Sequence, residues 1–463
     1  MCGIFGIYSN KLSVVESTYF GLFALQHRGQ ESAGISISNG EQVHTIKKVG
    51  LISQVFTKED LAKLPVGDMA IGHVRYSTSG SCVAEKAYPF AFMFKGTYMS
   101  LANNGSLLNI KELSDWCINK GVRFNGISDT EIIATMLSLS EKDTIEEAIA
   151  EVAKQLKGAY SFVVLAPDKI VGVRDPFGIN PMAFGEVLGG YAIASEDCAL
   201  GVVGAQYIRE VMPGEMVIIT RTSVKSSFVF EPQSRLAVCA FEFLYLARPD
   251  SSISGKNLYE ARVRMGRNLY REHPADADAV ISVPDSGTPA AIGFSKESGI
   301  SFAEGLIKNR YIGRTFIQPD QLLREVGVRL KLNPIVSAIK NKRIVLVDDS
   351  IVRGTTSKKI VKLLRSVGAK EIHIRISSPE VKWPCFYGID TESQDELIAA
   401  NYSVDEIGRM LEVDSIGYLS LKGLVNAIHL PANHLCLACF NGDYPVGVPE
   451  HIKKSKMGTG KSS

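Results

Sequence analysis

Residues 344–357 read IVLVDDSIVRGTTS, and this stretch decides the fold of the second half of the chain. Ile344 to Val347 is a short continuous apolar run, the pattern of a strand buried on both faces. Asp348 and Asp349 stand at its carboxyl end. Gly354, Thr355, Thr356 and Ser357 open a helix that runs through Val367, with Gly368 where a helix-ending glycine belongs. Backbone N–H groups and hydroxyls at such a helix start suit a phosphate monoester. The acidic pair suits ribose hydroxyls or a Mg²⁺ ion. The GK[ST] element of a Walker A loop is missing. The plain alternative is an acidic strand end followed by a capped helix. Working outward, Ala279 to Val283 (AVISV) is a second strand, followed by the turn PDSGTP and a helix ending near Gly299. Ile372 to Ile376 is a third. Strand, loop and helix repeated in this order predict a parallel α/β sheet, and ligands bind such sheets at the carboxyl ends of the strands.

The first part of the chain, to about residue 230, reads differently. Short β-like runs such as AYSFVVL (159–165) and EMVIIT (215–220) are separated by glycine-rich turns, and Gly189-Gly190 breaks the run from Ala183 to Ala194. Helical patterns follow Ser13, Ser128 and Thr144. Layered sheets with helices outside are expected here. The tail HIKKSKMGTGKSS is small, polar and basic, and 446–463 is expected to be disordered.

The whole chain has 463 residues, suggesting two to three domains at roughly 150 residues each. It is 45% hydrophobic and 22% charged, which excludes a mainly disordered chain. Its 51 Lys and Arg against 49 Asp and Glu give no reason to expect a nucleic-acid or membrane-surface partner. No apolar run approaches the roughly 18 residues that cross a bilayer. The start, MCGIFGIYSN, lacks the features of a signal peptide, so a cytoplasmic protein with reduced thiols is expected.

Eight cysteines are spread along the chain. Cys2 follows the first Met, and removal of Met1 would give it a free α-amino group. That amine could serve as general base for its own side chain. On position alone, a chance cysteine at the start of a strand is the commoner reading. Its company favours chemistry. Asn104 and Gly105 offer an amide and an unhindered backbone N–H for an oxyanion. Arg75, within Gly72-His73-Val74-Arg75-Tyr76-Ser77-Thr78, offers a bidentate contact to a carboxylate. Asp129 could hold an ammonium group or simply cap a helix. Cys436 and Cys439 form a CxxC, with Cys239 and Cys385 far upstream; the motif alone leaves redox chemistry, zinc and an iron–sulfur cluster open. Cys82, Cys117 and Cys198 read as buried fillers.

The segments CGIFG (2–6), HRGQE (27–31), GHVRYSTSG (72–80), NNG (103–105) and SDTE (128–131) resemble, in order and spacing, the glutaminase domain of the N-terminal-nucleophile amidotransferases. The resemblance implies an αββα sandwich over 2–230. It implies that Cys2 attacks glutamine, that Asn104 and Gly105 form the oxyanion hole, and that Arg75, Thr78 and Asp129 hold the substrate. Many members carry a propeptide before the cysteine; here one Met is expected to suffice.

The stretch 348–357 resembles the phosphoribosyl-pyrophosphate (PRPP) loop of type I phosphoribosyltransferases. Residues 231–445 would then form that parallel-sheet domain. The resemblance places Asp348, Asp349, Ser350, Arg353, Gly354, Thr355, Thr356 and Ser357 on PRPP. Asp285, Ser286 and Gly287 would meet pyrophosphate, with Lys308 and Arg314 on a mobile lid. Mg²⁺ would sit on Ser286, Asp348 and Asp349. By itself 308–317 is better read as a solvated basic loop. The four cysteines, with Val238 to Phe243 and Trp383-Pro384-Cys385, resemble the cluster-bearing amidophosphoribosyltransferases, implying one structural [4Fe–4S] centre on Cys239, Cys385, Cys436 and Cys439.

Together the two halves resemble the glutamine PRPP amidotransferases. That family implies glutamine and PRPP as substrates, 5-phosphoribosylamine as product, a homotetramer and inhibition by purine nucleotides. Two rivals remain at this level. One is a PRPP sensor with no catalysis, and the other is an amidohydrolase with an inert second half.

Overall fold

A computed structural model describes residues 1–76, 87–124, 126–231, 233, 235–309, 332–391 and 393–449. The first thirteen strands are β1 (Gly3–Ser9), β2 (Ser32–Ser38), β3 (Val43–Val49), β4 (Met69–Arg75), β5 (Phe90–Phe94), β6 (Thr97–Leu107), β7 (Gly158–Leu165), β8 (Lys169–Arg174), β9 (Ala183–Val187), β10 (Gly190–Ala194), β11 (Gln206–Glu210), β12 (Glu215–Thr220) and β13 (Val224–Phe228). They form two antiparallel sheets, ordered β11-β9-β10-β1-β4-β2-β3 and β13-β12-β8-β7-β6-β5.

Strand alternation assembles the layers. In β1, Ile4 and Tyr8 face the second sheet, where they meet Ala102, Val163, Leu165 and Ile170. Phe5 and Ile7 face the other way, against Val14 and Leu22 of the helix Val14–Ala24. On the far side of the second sheet, Tyr160, Phe162 and Val164 pack under the helices Asp129–Leu139 and Ile145–Ala153. The result is the αββα sandwich expected from the sequence. The three helices begin where the sequence placed them, and Ser13, Ser128 and Thr144 cap them through side-chain oxygens.

The later strands are β14 (Val238–Cys239), β15 (Ser252–Ile253), β16 (Lys256–Asn257), β17 (Ala279–Ser282), β18 (Leu306–Lys308), β19 (Leu332–Pro334), β20 (Arg343–Asp348), β21 (Glu371–Ile376), β22 (Ser415–Tyr418) and β23 (Leu435–Cys436). A parallel sheet runs β17-β20-β21-β22. Both of its faces are covered, which is why its strands read as unbroken apolar runs. Val345 and Val347 pack with the helices Leu258–Glu272 and Thr288–Ser298. Ile344 and Leu346 pack with Thr355–Ser366 and Val404–Leu411. The sequence did not suggest β22, whose four residues SIGY carry too little apolar pattern to stand out. At the far end, Val446 and Gly447, assigned to a loose tail from composition, both hydrogen-bond the Tyr387 hydroxyl. Residues 450–463 of that tail lie outside the described residues.

The helices Leu258–Glu272 and Thr288–Ser298 touch backbone to backbone. A Cβ on Gly266 would stand 1.8 Å from the Ala290 carbonyl oxygen, and one on Gly293 would stand 2.0 Å from that of Val263. This contact fixes the second helix, whose first turn follows the Asp285–Gly287 loop. Gly266→Ala should therefore lower stability by about 3 kcal/mol or more, because the helices must separate. Gly201→Ala, where a Cβ meets nothing within 4 Å, should be neutral or slightly stabilising. Equal urea midpoints for the two variants would contradict the contact.

Candidate active site

The alternation that builds the first core also gathers its polar groups. In the register of β1 with β4, Gly3 faces Val74 and Ile4 faces His73, so Cys2 lies opposite Arg75. His73 and Arg75 share the inter-sheet face of Met69 and Ile71, and Asn104 shares that of Ala102. All four therefore point into the space between the sheets.

Asn104 is fully buried and uses its two ends differently. Its Oδ1 accepts the Cys2 backbone N–H at 2.9 Å. Its Nδ2 is buried with no hydrogen-bond partner among the described residues. A buried donor without an acceptor is costly, and a substrate oxygen would satisfy it. Gly105 follows, at a φ of 157°, and a Cβ there would stand 2.0 Å from the Ala159 carbonyl oxygen, so only glycine fits. Asp129 accepts the Leu107 N–H at 3.0 Å. Burial pushes its carboxyl up to about 6, as expected of a carboxylate lacking a cation. Ser128, not Asp129, caps the helix, which leaves the Asp129 side chain available. Arg75 lies over the Tyr88 ring, 5.3 Å from its centre. Thr78 lies outside the described residues. The Cys2 thiol is 3.7 Å from the Tyr76 carbonyl oxygen. Burial pushes it up, but the charge and hydrogen bonding of His73 and the chain's terminal amine outweigh this and bring it to about 6.

A buried charge network lies behind Cys2, and the sequence did not reveal it. Arg28 donates to the Cys2 carbonyl at 3.1 Å, to Glu196 at 2.5 Å and to Glu242 at 3.1 and 2.5 Å. Glu196 also accepts from His27, the Arg248 N–H and Ser251. Burial works against its ionisation, yet Arg28 and His27 hold it well below the ordinary carboxylate range. Arg28 lay in the recognised HRGQE segment. Its partners come from residues with no local motif, and Glu242 reaches it from the wide helix Glu242–Leu246. Cys198 is only partly buried rather than the buried filler expected; its thiol donates to Glu196 at 3.6 Å, and burial with that charge pushes it up to about 12.

In the second half, the acidic pair ends β20 as predicted. Both carboxyls are raised by burial, Asp348 further by the neighbouring Asp349 charge. Ser286 and Ser350 hydrogen-bond Asp349, so the Asp285–Gly287 loop and the strand end meet. A half-buried and a buried carboxylate side by side, with hydroxyl neighbours, are a donor set that fits a hard divalent cation. Gly354 precedes the helix Thr355–Ser366 in a left-handed conformation, and Thr355, Thr356 and Ser357 form its first turn. Lys308, at the end of β18, pairs with Asp285 at 2.8 Å. Arg353 is turned to Glu396, at 2.9 Å, rather than over the helix start. Arg314 lies outside the described residues.

Cys239 and Cys436 are paired in parallel register between β14 and β23. With Cys385, Cys439, Met1, Tyr387 and Tyr444 they line one apolar cavity. Burial raises all four thiols, Cys436 to about 12, and neighbouring thiols raise Cys239, Cys436 and Cys439 further. Among the described residues no three His, Cys, Asp or Glu side chains converge as they would on a single ion. Four thiols around one apolar cavity are the donor type that iron–sulfur clusters take.

Two domain families match the chain: a glutamine amidotransferase domain over residues 73–201 and a phosphoribosyl transferase domain over residues 255–378. The amidophosphoribosyltransferase of Synechocystis sp. is 50% identical over 463 residues, covering 98% of this chain and 93% of that one. The chain belongs to the amidophosphoribosyltransferase family. The Methanocaldococcus jannaschii amidophosphoribosyltransferase is 48% identical, with 97% and 98% covered. Among solved structures, the glutamine PRPP amidotransferase from B. subtilis complexed with ADP and GMP matches at a TM-score of 0.90 and 45% identity, over 96% of this chain and 97% of that one. A structure described as the allosteric regulatory enzyme of purine biosynthesis matches at 0.91 and 44%, over 98% and 99%. The arrangement of this amidophosphoribosyltransferase-family chain around Arg28 is testable directly. Arg28→Met removes the guanidinium that two buried carboxylates share, leaving Glu196 to His27 and its remaining donors, and should cost about 3–5 kcal/mol. A loss below about 1 kcal/mol in denaturant unfolding would show that the network does not hold the fold.

Proposed function

We propose that this protein is a glutamine-dependent amidophosphoribosyltransferase of purine biosynthesis, converting PRPP, glutamine and water to 5-phosphoribosylamine, glutamate and pyrophosphate. The observation that carries the reading is Asn104, whose Oδ1 holds the Cys2 nitrogen while its Nδ2 waits, buried, for an acceptor. With Met1 removed, that nitrogen is the α-amine. The Cys2 thiolate attacks the glutamine amide carbon. Asn104 Nδ2 and the Gly105 N–H receive the oxyanion. Arg75 takes the α-carboxylate and Asp129 the α-ammonium; a carboxyl raised to about 6 by burial regains its ordinary ionisation once that cation arrives. Ammonia leaves, and water releases glutamate from the thioester.

Ammonia then attacks the anomeric carbon of PRPP as pyrophosphate departs. The first turn at Thr355 to Ser357 holds the 5-phosphate, and Asp348 and Asp349 face the ribose. Ser286 and the two aspartates would hold Mg²⁺, which supplies charge neutralisation for the diphosphate. Asp285, Gly287, Ser350 and Lys308 line the same region, and Arg353 joins them on release from Glu396. Cys239, Cys385, Cys436 and Cys439 would hold a structural [4Fe–4S] cluster. The B. subtilis relative is complexed with ADP and GMP, and purine nucleotides and a homotetrameric, cytoplasmic enzyme are part of the same proposal. Among the described residues no helix is long and apolar enough to cross a membrane.

Cys2→Ala should abolish synthesis from glutamine and leave synthesis from added ammonia within about twofold. Asp348→Asn should do the reverse, sparing glutamine hydrolysis and lowering PRPP turnover by about 10²-fold or more. A Cys2→Ala enzyme still using glutamine would end the reading. It also separates the rivals, since a sensor hydrolyses nothing and a simple amidohydrolase ignores PRPP. For the cluster, anaerobically purified protein should carry about four irons and four sulfides per chain, lost in Cys436→Ser. Zinc in a colourless sample would replace the cluster with a different site.

A further inference from the structure

The Asn104 side chain holds the Cys2 nitrogen, and its backbone is held in turn by a residue that the glutaminase chemistry described so far does not use. Asn180 lies in the loop 175–180 that follows β8, and it is fully buried. Its Nδ2 donates to the Asn104 carbonyl at 2.9 Å. A carbonyl only accepts, so the Asn180 amide can face it in one way only. The Asn180 Oδ1 is buried with no hydrogen-bond partner among the described residues. Such an orphan acceptor costs about 1–3 kcal/mol. An apolar side chain of the same size would avoid that cost, so stability alone does not account for an amide here.

The peptide between Asn104 and Gly105 is planar and trans, so its C=O and N–H point in opposite directions. Across β6 and β7, Asn104 faces Ser161 and Gly105 faces Tyr160. Opposed residues of an antiparallel pair turn their backbone groups either toward each other or away. The Tyr160 carbonyl accepts from the Asp175 N–H at 2.9 Å, on the β8 side. Gly105 therefore turns its N–H away from β7, to the edge that β5 leaves open beyond Leu101. The Asn104 carbonyl turns toward β7, where Asn180 meets it. Asn180 is itself fixed. Arg174 Nε donates to its carbonyl at 2.8 Å, and Asp175 accepts the N–H groups of Phe177 and Ile179 at 2.9 and 3.1 Å. The Ile179 carbonyl accepts the Cys239 N–H at 3.1 Å, which seats the loop on the second half of the chain. We infer that Asn180 is a positioning residue of the oxyanion hole: it fixes the Asn104–Gly105 peptide so that the Gly105 N–H stays aimed at the substrate oxygen. The inference rests on the reading of Cys2, Asn104 and Gly105 as the glutaminase site. A donor fixed in advance favours the tetrahedral oxyanion over the planar amide, so its effect belongs to the transition state rather than to binding.

The test uses mature full-length enzyme with PRPP present. Asn180→Leu keeps the volume, loses the donor and also removes the orphan acceptor. Its kcat for glutamine hydrolysis should fall about 10- to 100-fold, with KM for glutamine within about twofold. The rate of Cys2 alkylation by iodoacetamide, with Cys2→Ala as the blank, reports the thiol alone, since displacement of iodide builds no oxyanion. That rate should stay within about twofold of the parent's, and the thermal midpoint should hold. A kcat within about threefold of the parent's overturns the inference. A loss shared equally by hydrolysis and alkylation also overturns it, and makes Asn180 a packing residue only. If Asn180→Leu fails to fold, Asn180→Ala, which only removes atoms, decides on the same readouts. No such result touches the assignment of Cys2, which falls only if Cys2→Ala still hydrolyses glutamine.

Discussion

A guanidinium with almost no access to water holds this molecule together. Arg28 must be charged, and a charge in a protein interior is tolerated only when matched and hydrogen-bonded. Its matches are Glu196, beside the first sheet, and Glu242, from the segment that opens the second half. The arginine is therefore satisfied only when the two halves are docked. Because it also holds the Cys2 carbonyl, the position of the nucleophile is set by the same docking. The apolar core agrees: Ala159 and Ile179 of the first half pack in one cluster with Cys239, Cys436 and Phe440.

Three groups of buried ionisable side chains show one rule with different outcomes. Burial raises Asp129, the Asp348–Asp349 pair and the four cysteines, and the cations near some of them, Arg262 toward Asp349 and Arg235 toward Cys436, do not offset the cost. Glu196 is as deeply buried and is lowered, because Arg28 is there. Structural carboxylates in this fold come with a partner supplied by the chain. The others are the groups that the proposed function pairs with a partner from outside: an ammonium, a divalent cation, or iron.

Much of this was legible before the structure. The run IVLV, the acidic pair and the small residues after it gave strand, loop and helix to within a residue or two, because both faces of the strand are buried and its pattern is continuous. Cys2, Asn104 and Asp129 were legible as motif members; alternation along β1, β4 and β6 explains why Cys2, Arg75 and Asn104 share one face, and Asp129 comes from the start of a helix. What stayed hidden depends on contacts across long stretches of chain. Nothing near Glu196 or Glu242 announces a shared arginine. The Arg353–Glu396 pair and the capping of the helix by Ser128 rather than Asp129 are likewise decided by geometry.

The pairing of Cys239 with Cys436 sets an order on the birth of the protein. A ribosome releases the chain from its amino end, so β1 to β13 can close both sheets while residue 436 is still unmade. Until then Val238 and Cys239, tethered to Ile179 by a backbone hydrogen bond, present an open strand edge and an unmatched thiol. The cysteine-lined cavity gains its last wall only once Cys436 and Cys439 have been made, so its four thiols come together late, by topology alone.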